Sequence, residues 1–138
     1  MTDEELVLKR LAFIETCLHD LRTLGRPDCL ETDVKERRFI EHTLQVCIQA
    51  LQDVASHIVS DGRLGEPQDN RELLNLLVGA GWLPHELAHP LRAAIGFRNV
   101  LVHGYTNVDP AVVRDVLDHH LADMEAFVRH VRGRLGGS

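Results

Sequence analysis

Ile40-Glu41-His42-Thr43-Leu44-Gln45-Val46-Cys47-Ile48-Gln49-Ala50-Leu51-Gln52-Asp53-Val54-Ala55-Ser56-His57-Ile58 carries the pattern that decides the fold. Ile40, Leu44, Cys47, Leu51, Val54 and Ile58 recur at alternating spacings of four and three. That is the period of one apolar stripe on an α-helix and not the two-residue alternation of a strand. Extended to its flanks, the pattern predicts a helix over 32–60, on the order of 40 Å long at about 1.5 Å per residue, the spine of the fold. Asp61-Gly62-Arg63-Leu64-Gly65-Glu66-Pro67 ends it with turn-forming residues.

The same period continues outward from this spine. Residues 3–24 place Val7, Leu11, Ile14, Leu18 and Leu21 on one stripe, with Thr2 or Asp3 as a start cap and Gly25 and Pro27 as a stop. Residues 26–31 read as a loop. Residues 70–78 read as a short helix ended by Gly79-Ala80-Gly81, with Trp82 and Leu83 pinning the link to the core. Residues 84–103 form a further helix, bent at Pro90. Asp109-Pro110 is an N-cap followed by proline at the first helical position, opening a last helix that runs to Arg132. No strand pattern, repeat or low-complexity block occurs. The expected fold is all-α, an antiparallel bundle of four long helices plus a short one, with the domain spanning residues 1–132 and a flexible tail over 133–138.

At 138 residues the chain is long enough to bury one real core. No apolar run approaches the ~20 residues of a membrane span, so no membrane partner is expected. Met1-Thr2-Asp3-Glu4-Glu5 lacks the features of a signal peptide. Cys17, Cys29 and Cys47 are odd in number and without metal-like spacing, which fits a reduced, cytoplasmic setting. A net charge of −6 argues against broad, salt-driven binding to nucleic acid, and no DNA partner is expected. A small basic cleft remains compatible with it, because the local field decides such contacts.

The chemistry concentrates in Phe97-Arg98-Asn99-Val100-Leu101-Val102-His103-Gly104-Tyr105. On a helix, Arg98 and His103 stand about 140° apart. Gly104 can close the helix in a left-handed conformation, and Tyr105 then leaves on the loop. An arginine fork pairs with two phosphate oxygens, and a histidine moves a proton near neutral pH. Together they suit metal-free phosphodiester cleavage. An Arg and a His near a helix C-terminus also complement the helix dipole, which needs no function at all.

This segment, continued by Val108-Asp109, resembles the R-x4-6-H-x-Y signature of HEPN domains, in the branch of the HepT-like toxins. Residues 38–58, with Asp53 and His57, resemble the long second helix of that branch, and Gly79-Ala80-Gly81-Trp82-Leu83 resembles its short link. The resemblance runs from about residue 5 to about residue 130. It implies a ribonuclease toxin of a HEPN and nucleotidyltransferase toxin–antitoxin pair, an endoribonuclease that cuts RNA (tRNA among the targets) without a metal or cofactor. His103 would act as general base or acid and Arg98 would hold the scissile phosphate. Asn99 would orient His103 or touch the phosphate, and Tyr105 would contact substrate. Tyr105 would also be where a minimal nucleotidyltransferase antitoxin adds AMP, setting negative charge against RNA phosphate. The resemblance further implies a homodimer, or a higher oligomer, with two motif helices facing one cleft. The alternative within it is a non-catalytic HEPN binding module that accompanies a nucleotidyltransferase, against which the joint presence of Arg98, His103 and Tyr105 argues.

His85-Glu86-Leu87-Ala88-His89 spells the H-E-x-x-H of zinc proteases. That motif needs an unbroken helix, and Pro84 and Pro90 bracket it, so no metal site is expected. Asp53 and His57, four apart, can pair on one helix face. His120 falls in the apolar stripe of the last helix as a satisfied core or interface histidine, and Arg92 adds positive potential near the site.

Overall fold

The computed structural model describes residues 4–103 and 108–136. Its spine is α2, Val34–Asp61, which starts where the Asp33 carboxylate accepts hydrogen bonds from the backbone N–H groups of Lys35 (2.9 Å) and Glu36 (3.4 Å). Burial on α2 reaches well beyond the predicted stripe. Ile48, Ala50, Gln52, Ala55 and Val59 are covered as well, so most of its circumference is enclosed.

Helix α1, Glu4–Thr23, lies along α2 through Val7, Leu11, Ile14, Leu18 and Leu21, the stripe read from the sequence. Cys17 of α1 and Cys47 of α2 are buried in the seam between them. The hydrogen bond with Cys17, and then burial, push the Cys47 thiol far up, which makes it a core residue rather than a nucleophile. The 26–31 segment holds a 3-10 turn at Pro27–Cys29 and sinks Leu30 into the core.

Helix α3, Glu72–Gly79, rests on α2 and starts two residues later than the sequence suggested, because Asp69 captures the N–H groups of Arg71 and Glu72. A 3-10 turn at His85–Leu87 then leads into α4, Ala88–His103, which packs on α2 and α3. The expected bend at Pro90 is not needed. Pro90 is the third residue of α4, where its N–H would have had no helical partner anyway, and His89 before it is helical.

The expected last helix is two helices, α5 (Pro110–His119) and α6 (Leu121–Gly136), broken at His120. The His120 side chain is held between Asp115 (3.4 Å) and Asp123 (2.9 Å), so it works as a polar clasp at the corner and not as part of an apolar stripe. Helix α5 meets α6 at this break, while α6 packs on α1 and α4. Helix α6 also runs on through the 133–136 stretch expected as tail. Arg134 sits over the Trp82 ring, 4.8 Å from its centroid, and donates to the carbonyls of Ala80 (3.3 Å) and Gly81 (2.9 Å). The all-α bundle read from the sequence is thus the fold, with six α-helices among the described residues. None of these helices is long and apolar enough to cross a membrane.

Leu51 is fully buried at the centre of α2. Leu51→Ala is expected to lower unfolding free energy by roughly 2–5 kcal/mol, and Asp33→Ala by about 1 kcal/mol, as read by urea denaturation.

Candidate functional site on the two faces of one helix

Each residue turns α4 by about 100°, so the residues that dock it also fix where its polar groups point. Leu91, Ala94, Ile95 and Leu101 are buried and define the inward face. Arg98 falls at the middle of that face. It is half-buried, and its Nε–H is shielded from water with no hydrogen-bond partner among the described residues. A shielded, unpaired guanidinium N–H is costly, and an incoming anion would satisfy it.

His103 lies on the other side. It is exposed, together with Asn99 and Val100, the last 49% exposed. Positions 89, 92, 96, 99 and 103 step by three and four, so His89, Arg92, Gly96, Asn99 and His103 form a single outward stripe. Within one chain, then, the structure brings Asn99 to His103 but sets Arg98 on the opposite side of the helix. Gly104 and Tyr105 lie outside the described residues.

Other candidates resolve differently. Asp53 and His57 are half-buried, but Asp53 accepts a hydrogen bond from the side-chain amide of Gln49 (2.9 Å) and forms no ion pair with His57 among the described residues. His85 and Glu86 sit on the 3-10 turn while His89 belongs to α4, so H-E-x-x-H is split between two elements. No group of three or more metal-ligating side chains occurs among the described residues.

Spacing alone did not single out the groove between α3 and α4. A cavity of about 620 Å³ is lined by Arg71, Glu72, Asn75, His89, Arg92 and Gly96 among others. A smaller one of about 290 Å³ shares Asn75, His89 and Arg92 and adds His85. Arg92 is fixed there by a hydrogen bond from its guanidinium to the Asn75 side-chain carbonyl, 2.6 Å. The outward stripe carried the signal for this groove, but its far wall comes from α3, seventeen residues earlier in the chain.

The family model for ribonuclease HepT-like proteins matches residues 13–131, and the chain belongs to that family. It is 29% identical over 125 residues to the mRNA nuclease HepT of Shewanella oneidensis, covering 90% of this chain and 94% of that one. It is 31% identical over 101 residues to the tRNA nuclease HepT of Aphanizomenon flos-aquae, covering 73% and 69% respectively. Among solved structures, the tri-AMPylated HEPN toxin of Shewanella oneidensis in complex with its MNT antitoxin superposes with a TM-score of 0.85 at 28% identity, covering 96% of this chain and 99% of that one.

Arg98 places its Nε–H in a shielded position with no hydrogen-bond partner among the described residues. Arg98→Met is therefore expected to leave the thermal midpoint unchanged or higher, within about 0.5 kcal/mol of neutral or better, as read by thermal denaturation. A large drop in the melting temperature would show instead that the guanidinium is structural.

Proposed function

We propose that this chain is the ribonuclease toxin of a toxin–antitoxin pair, a metal-independent endoribonuclease in which Arg98 and His103 carry the chemistry. The observation that carries the reading is the shielded Nε–H of Arg98, without a hydrogen-bond partner among the described residues, in a chain that belongs to the HepT-like ribonuclease family. In the reaction, His103 takes the proton of a ribose 2′-hydroxyl, and the O2′ oxygen bonds to the adjacent phosphorus. The P–O5′ bond breaks, and a protonated imidazole returns a proton to the leaving O5′. The products are a 2′,3′-cyclic phosphate end and a 5′-hydroxyl end. Arg98 holds the phosphoryl oxygens as charge builds on them, the interaction expected to contribute most in such a site. Asn99, one turn before His103, positions the imidazole or the phosphate.

Because Arg98 and His103 face opposite sides of α4, a cleft shared by two copies of the chain supplies both groups to one phosphate more readily than a single copy does. The exposed Val100, at the edge of this face of α4, offers an apolar contact to a second helix. A homodimer is the assembly this favours. Two copies of Arg98 also raise the local positive charge in an acidic protein. Tyr105, two residues after His103, is the proposed site of AMP addition by a nucleotidyltransferase antitoxin partner. The related toxin solved with its MNT antitoxin is itself AMPylated, which supports that reading. The added phosphate would repel RNA by like charge. The target is RNA, either mRNA or tRNA as in the named relatives, in the cytoplasm.

Cleavage of total cellular RNA in the presence of EDTA tests the activity. The unmodified chain is expected to cut, and Arg98→Ala and His103→Ala each to lower the rate by about 10²–10⁴-fold. Cutting that EDTA abolishes, or that survives His103→Ala, would remove this mechanism.

A further inference from the structure

We infer that the groove between α3 and α4 seats the RNA strand on one side of the cut, with Arg92 and His89 holding a backbone phosphate several nucleotides from the scissile one. This rests on the ribonuclease reading above and adds a substrate-binding subsite to it. Arg92 makes no ion pair among the described residues, and its guanidinium is oriented in advance by Asn75 at 2.6 Å. An arginine fixed by a neutral amide keeps its full charge for a ligand, whereas one fixed by a carboxylate does not. His85 and His89 line the smaller cavity with it, and no carboxylate does. An imidazole offers an N–H to a phosphate oxygen in either protonation state.

The carboxylates of the larger cavity, Asp69 and Glu72, lie on the α3 side and are engaged. Asp69 accepts from the N–H groups of Arg71 and Glu72 and pairs with the Arg71 guanidinium at 3.5 Å. The Glu72 N–H foremost, with Arg71, holds the Asp69 carboxyl below its ordinary range. Glu72 accepts from the backbone N–H of Gln68 at 3.1 Å. Helix α4 itself carries no Asp or Glu from Ala88 to His103, so the path from the groove to His103 is free of its own negative charge in a chain of net charge −6.

The path is also continuous. His89, Arg92, Gly96, Asn99 and His103 share one face, and Gly96 leaves the floor open between the cavity and the catalytic histidine. Arg92 and His103 are separated by about 16 Å along the helix axis at ~1.5 Å per residue. A stacked strand that rises about 3.4 Å per nucleotide along its axis covers that with about five nucleotides, an extended one with fewer. A charged groove tracking the backbone is how single strands are held without base readout.

The test is binding of uncut RNA to the His103→Ala chain, by fluorescence anisotropy across a salt series, with single-stranded RNA of about fifteen and of about two nucleotides. Arg92→Gln combined with His89→Gln is expected to weaken binding of the longer RNA by about tenfold or more. The slope of log affinity against log salt should flatten by about one. The penalty on the shorter RNA should be at least about threefold smaller, since it does not reach the groove. Arg92→Lys, which keeps the charge, should recover most of the salt slope. Equal losses on both lengths, or an unchanged slope, overturn the subsite. It is also overturned if sedimentation shows that Arg92→Gln dissociates the dimer and RNA affinity returns at higher protein concentration, for the groove is then an interface between copies. Arg98→Ala in the same background separates the two readings. It should weaken both RNAs, and a chain indifferent to Arg98 removes the ribonuclease reading and the substrate of this groove with it.

Discussion

The enclosure of α2 is the constraint on which the rest of the molecule depends. A helix with one apolar stripe can be covered from one side, but α2 also buries Ile48, Ala50, Gln52, Ala55 and Val59, so several helices must pack around it. Helices α1, α3 and α4 do so directly. Once Leu91, Ala94, Ile95 and Leu101 dock α4, its rotation about its own axis is fixed. That rotation turns Arg98 inward and His103 outward. Close packing of the core therefore fixes the direction of the polar groups, because turning α4 by one residue would expose leucine and bury histidine.

Two shielded polar atoms lack hydrogen-bond partners among the described residues, the Gln52 side-chain carbonyl oxygen and the Arg98 Nε. Gln52 lies on α2 and Arg98 on α4, two helices packed against each other. Unsatisfied groups of this kind are destabilising, and each calls for a reason beyond packing. The acidic surface is organised in the same sense. Glu5, Glu15, Glu31 and Glu125 pair with Lys9, Arg132, Arg114 and Arg22 on other faces, while α4 carries no carboxylate. The net charge therefore describes the molecule poorly at the one surface where RNA would lie.

The existence of α1, α2, α3 and α4 was legible because each presents a stripe at helical spacing, and a local stripe is a local signal. The break at His120 was not legible. A histidine within an apolar run reads as core until Asp115 and Asp123 are seen to hold it from either side. Likewise, residues 133–136 read as tail because two glycines interrupt them, and only Trp82, Ala80 and Gly81, some fifty residues earlier, anchor Arg134 there.

The helical class, the spine, and the segment that holds Arg98, Asn99, His103 and Tyr105 were legible from local sequence, since all of these depend on residues within a turn or two of one another. The family resemblance lies in that same local pattern. Which face of α4 turns inward, where α3 meets it to form the groove around Arg92, and where the last helix breaks at His120 came from the folded chain. Those outcomes depend on contacts between residues far apart in the chain, through burial and charge pairing whose partners no local spacing specifies.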